Sequence, residues 1–157
     1  MNPLPFRQVI WLMPLSFSLH VLEEWPRFTA WANRHASDRF TQHDYAVIHL
    51  SGIAGAVLLA WLATTFPSRA LIFLVFAFFF LPAMFWNVFF HVGATIVFRT
   101  YCPGLVTAVA LYPLVAYVVT TSAVREGLLE GRSGAAALVI AGVFHSWEVG
   151  HNVFKAW

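Results

Sequence analysis

The chain has 157 residues, 60% of them hydrophobic and 10% charged, with a mean hydropathy of +0.72. Soluble domains carry about 25% charged residues, so this composition excludes an ordinary water-soluble domain and predicts one all-α, polytopic membrane helix bundle. The formal net charge of +2 is spread over short connections, without the Lys/Arg-rich patch that nucleic-acid binding requires, which leaves membrane lipids as the expected neighbours.

A bilayer core of about 30 Å takes about 20 helical residues, and five apolar segments approach that length. The first runs over about 8–25 and closes at Pro26; no small-residue cleavage site follows it, so it reads as a retained first helix anchored by Trp11, Trp25 and Trp31. Residues 26–44 place Phe28, Trp31, Ala32, His35 and Phe40 near helical spacing, with Arg27, Arg34, Asp38 and Arg39 between them. That pattern predicts an amphipathic helix in the membrane interface. The second span is expected over about 45–66. The third runs from about 70 to 98, long enough to tilt or to kink at Pro82. The fourth covers about 105–124 after a Pro103–Gly104 turn, and the fifth about 135–154. Arg7, Arg69, Arg125 and Arg132 then share one side, against Arg27, Arg34, Arg39, Arg99 and Lys155 on the other, expected to be cytoplasmic. The single Cys102 excludes an intrachain disulfide, a multi-thiolate zinc site and an iron–sulfur cluster.

Inside these segments lie His20, Glu23, Glu24, His49, His91, His145 and Glu148, with His151 just beyond. A charge at the bilayer centre costs about 2.5–3.5 kcal/mol even on the gentler insertion scale, so such residues are usually functional. Spans one, three and five run in parallel, which brings His20, Glu23 and Glu24, then Asn87 and His91, then His145, Glu148, His151 and Asn152 to one depth, level with His49 at the start of span two. His20 with Glu24 is an i, i+4 pair on one helical face, and Glu148-Val-Gly-His151 has the Glu-x-x-His spacing of bundle di-metal sites. Imidazole and carboxylate without thiolate suit iron, zinc or manganese. The expected ligands are His20, Glu24, His49, His91, His145, Glu148 and His151, holding two divalent ions, with Glu23 or Glu24 as catalytic base and Asn87 and Asn152 as hydrogen-bonding partners of the ligands. His35 and His43 read as solvated.

His20-Val-Leu-Glu23-Glu24 resembles the signature of the HXXEE-motif family of small bacterial membrane proteins, and His91, the Tyr101-x-Pro103-Gly104-x-x-Thr107 turn and His145-x-x-Glu148 are similar to that family's pattern. The resemblance implies a multi-pass protein of the bacterial inner membrane, supports the choice of site residues, adds Tyr101 beside the ligands, and assigns no reaction. The residues themselves point to a membrane metalloenzyme that oxidises or hydrolyses a lipid or other apolar small molecule, as a monomer or a homo-oligomer. A divalent-cation or proton transporter using the same His/Glu cluster is the alternative. A haem carrier with paired axial histidines leaves the glutamates unexplained, and a purely structural cluster would only join helices. Serine-nucleophile and phosphate-loop motifs are absent, which excludes triad hydrolysis and ATP coupling.

Overall fold

The computed structural model describes residues 4–36 and 39–154, and every regular element among them is helical. Asp38 and Lys155, which entered the expectations above, lie outside the described residues. The first apolar segment forms α1 (Phe6–Val9) and α2 (Leu12–Glu24) rather than one rod. Pro14 has no N–H to offer the carbonyl of Ile10, so the helix breaks and restarts there; Met13 N–H takes that carbonyl instead at 3.0 Å. The amphipathic segment contains α3 (Phe28–His35), which buries Phe28, Trp31 and Ala32. Next comes α4 (Gln42–Thr65), started by a reciprocal capping box between Thr41 and Asp44.

The third segment is continuous over thirty residues but not uniformly α-helical. It opens as α5 (Arg69–Val75), widens into two π-helical turns, Phe76–Phe80 and Pro82–Trp86, and closes as α6 (Asn87–Phe98). The kink expected at Pro82 takes this form because the missing N–H releases the carbonyl of Phe78, and the backbone rewinds around the gap. A turn with Arg99 and Gly104 at positive φ leads to α7 (Leu105–Ala110) and α8 (Tyr112–Arg125), which are interrupted at Leu111 just before Pro113. The last helix, α9 (Gly131–Val149), runs into a further π turn, Gly150–Phe154.

Among the described residues, three helices are long and apolar enough to cross a membrane: Gln42–Thr65, Arg69–Phe98 and Leu105–Arg125. The expected count of five is not supported on these measures. The first segment fails on length, since α2 has only 13 residues. The fifth fails on polarity, because His145, Glu148, His151 and Asn152 dilute its second half.

Two apolar clusters organise the bundle. The larger fills one half with Phe6, Ile10, Met13, Ile72, Phe76 and Phe80, among others. The smaller gathers Phe28, Trp31, Phe40 and Tyr45 around the end of α2 and the base of α6. α9 docks on the π-helical stretch closely enough that a Cβ at Gly142 would stand 2.8 Å from the Trp86 ring, and Trp86 Nε1–H donates to the Leu138 carbonyl at 2.9 Å. The polar side chains lie between the two clusters.

Candidate metal centre

Glu24 ends α2 and is 3% exposed. A carboxylate removed from water needs compensating partners, and three histidines from three elements stand around it. His20 Nε2, one turn back on α2, lies 3.4 Å from Glu24 Oε1. His91 Nε2, from α6, lies 3.4 Å from the same oxygen. His49 Nε2, from α4, lies 3.3 Å from Oε2, to which the Tyr45 hydroxyl also donates at 3.0 Å. His20 and His91 are buried, with their rings edge to face at 4.8 Å. One donor atom from each of His20, Glu24 and His91 falls within a common 4.8 Å.

The far sides of the three rings decide what faces Glu24. His20 Nδ1 meets Thr107 Oγ1 at 2.8 Å. That hydroxyl already spends its proton on Glu23 Oε2 at 2.6 Å, so His20 Nδ1 is the donor. His49 Nδ1 donates to the Tyr45 carbonyl at 2.8 Å, since a carbonyl only accepts. His91 Nδ1 lies 3.3 Å from Cys102 Sγ, a thiol that can donate or accept there. In the neutral imidazole the proton then sits on Nδ1 of His20 and of His49, which leaves their Nε2 atoms as acceptors beside the Glu24 carboxylate. His91 Nε2 has no hydrogen-bond partner among the described residues, whereas His20 Nε2 also lies 3.1 Å from Asn87 Nδ2. Converging lone pairs repel unless a cation lies between them. Tetrahedral ligands about 2.1 Å from a metal stand about 3.4 Å apart, which matches both Glu24 Oε1 contacts.

Gly104 closes this cradle. It takes φ +94, and a Cβ there would stand 2.6 Å from His91 Cε1, 2.7 Å from His20 Cε1 and 2.9 Å from Glu24 Cγ. A side chain at this position would occupy the space between the ligands.

Glu23, expected with Glu24 as a candidate base, turns away from this donor group. Consecutive helical residues point about 100° apart, so with Glu24 inward Glu23 faces the start of α7. There it accepts from Thr107 N–H at 2.7 Å, Val106 N–H at 3.1 Å, the Thr107 hydroxyl and the Tyr101 hydroxyl. Burial works to raise its pKa, but those donors outweigh it and hold the carboxyl down at about 2, as a fixed anion. Tyr101, in the turn before α7, is pushed up to about 12 by burial and by its bond to Glu23. Tyr101, Glu23 and Thr107 thus form one hydrogen-bonded chain ending on His20, the kind of outer support that orients a metal-binding imidazole.

A cavity of about 150 Å³ opens beside the centre, lined by His20, Glu24, His49 and Asn87 and, across from them, by His145, Glu148 and Asn152. The remaining lining is mostly aromatic, with Phe17, Phe79 and Phe90 among it. His145 and Glu148 share the cavity but do not join the clustered donor group. His151 is exposed and stacks on Trp147 at 5.5 Å, away from the centre. His43 is exposed, while His35 packs on Phe98 at 4.8 Å. Sequence reading passed over Tyr45 and Gly104, and it treated Cys102 only as a cysteine count. Gly104 and Thr107 had a signal, standing in the turn motif quoted above; Tyr45 and Cys102 had none.

No curated protein and no solved structure matches the chain. A family model described as a protein of unknown function with HXXEE motif matches residues 11–119. The match takes in His20, Glu23, Glu24, His49, His91, Gly104 and Thr107 and stops before His145 and Glu148, so α9 lies outside it. With more than half of its length matched, His20-Val-Leu-Glu23-Glu24 included, the chain belongs to the HXXEE-motif family.

Proposed function

We propose that the protein is a membrane metalloenzyme in which His20, His91 and Glu24 hold a divalent ion, with His49 beside them, and that it oxidises an apolar small molecule. The observation that carries this reading is the convergence of three imidazole Nε2 atoms, from three helices, within 3.3–3.4 Å of one buried carboxylate. Nitrogen and carboxylate donors suit iron, zinc or manganese. A bound iron supplies oxygen-dependent oxidation, whereas zinc supplies hydroxide for hydrolysis. What supports oxidation is a donor set of imidazole and carboxylate without thiolate beside a mostly aromatic cavity. The aromatic lining also suits an apolar substrate kept from water.

Transport by the same cluster requires polar residues along the rest of the helices, and the other half of the bundle is filled by Ile10, Met13, Phe76 and Phe80. The test is elemental analysis with an optical spectrum on detergent-purified protein. About one iron per chain is expected, lost in His91→Ala and Glu24→Ala. Stoichiometric zinc would move the reaction to hydrolysis. Absence of any stoichiometric metal, or charge movement in proteoliposomes abolished by His91→Ala, would overturn the reading.

A further inference from the structure

The α9 wall of the cavity holds a second group of polar side chains that the ion does not need. Among the described residues, neither ring nitrogen of His145 has a hydrogen-bond partner, and both nitrogens are shielded from solvent. Such a group loses its water hydrogen bonds on folding and gains nothing in return, unless something else supplies the contact. Glu148 stands one turn on and Asn152 another, all three on the cavity wall. Apart from His20, Glu24, His49 and Asn87, the rest of the lining is apolar: Phe17 meets Phe79 edge to face at 5.8 Å, and Phe78 meets Phe144 in the same way at 5.8 Å. Phe78 is 46% exposed and belongs to the middle of the Arg69–Phe98 span, so this rim of the cavity faces the apolar side of the helix.

Size, lining and polarity together select a ligand class. Cavities of about 150 Å³ with apolar walls accept molecules the size of benzene. The aromatic rings suit a flat apolar body, and His145 suits one polar function on it. We propose that the cavity binds a benzene-sized apolar molecule bearing a single hydroxyl or carbonyl, which hydrogen-bonds His145 and lies between α9 and the ion. This rests on the metal reading for the ligand's position beside the ion, but not for its binding. Its route in is past Phe78 and Phe144, from the apolar phase.

The probe is 4-fluorophenol, followed by fluorine NMR on detergent-purified, chelator-treated protein and corrected for partition into empty micelles. Saturable binding is expected, at least tenfold tighter than fluorobenzene, which lacks the hydroxyl. His145→Ala should remove that preference, and His145→Gln, which keeps hydrogen-bonding groups, should restore part of it. Equal affinity for the two probes in the unaltered protein, or a preference that survives His145→Ala, overturns the proposal even if a variant folds poorly, since the first comparison needs no variant. Cobalt loading then reports on the ion: paramagnetic broadening of the bound fluorine signal places the probe beside it. If the protein takes up no cobalt yet the hydroxyl preference stands, the metal reading falls and the binding site remains. If cobalt binds and the bound probe is not broadened, the position claimed beside the ion is wrong.

Discussion

At the scale of single residues, Gly104 sets the narrowest condition on the centre. It is held at φ +94 in the turn between α6 and α7, and its missing Cβ leaves the space that His20, His91 and Glu24 surround. Alanine there meets two penalties. The backbone conformation costs about 1–3 kcal/mol for a residue with a Cβ, and the methyl group collides with both imidazoles. Gly104→Ala is therefore expected to lower the melting temperature and to abolish stoichiometric metal binding, as read by circular dichroism and elemental analysis. Full metal content in that variant would separate Gly104 from the site. The difference between Glu23 and Glu24 belongs to this scale as well. The two carboxylates are chemically alike and adjacent, and the turn of the helix alone divides them into a buried group among imidazoles and an outward anchor for α7.

At the scale of elements, the π turns around Pro82 determine what α6 presents. Each π turn adds a residue, which rotates the following helix by about 100° relative to an uninterrupted α-helix. Asn87 and His91 follow those turns, and both face His20. Pro82→Ala restores a backbone N–H and favours regular winding. It is expected to keep or raise thermal stability while weakening metal affinity at least tenfold, measured by competition with a chelating dye. Unchanged affinity would mean that tertiary packing, not Pro82, sets the register of α6. That Pro82 disturbs the span was legible in the sequence; the π form of that disturbance was not, because it arises where α9 packs against Phe76–Phe80 and Trp86 lies over Gly142.

For the molecule as a whole, the polar centre lies between two apolar clusters and ties together α2, α4, α6 and the turn into α7. Glu23 joins α2 to the same turn and to α7 through Tyr101, Val106 and Thr107, whereas the exposed Arg69–Glu130 pair at the opposite end contributes little. An ion held by several helices stabilises the folded state by mass action, about 2.7 kcal/mol at a hundredfold excess over its dissociation constant. Chelation is expected to lower the melting temperature of the unaltered protein and to leave that of Glu24→Ala unchanged. Equal shifts in both would place the bound metal elsewhere.

Composition and periodicity alone determined an all-helical, strongly apolar chain. They also determined the pairing of His20 with Glu24, because the 3.6-residue repeat puts i and i+4 on one face whatever surrounds the helix. Five spans were read where three helices meet the length and apolarity required: apolar residues mark a segment, but Pro14 breaks the first and the histidines of α9 dilute the last. Tertiary structure decided which polar residues meet. It set His91 against Glu24, left His151 outside, gave Thr107 and Cys102 their roles behind the imidazoles, and kept His145 across the cavity. The reason is geometric: sequence spacing measures angles around one helix axis, whereas a site built from several helices depends on the rotation and depth of each against the next, and these are set by side-chain packing and by prolines.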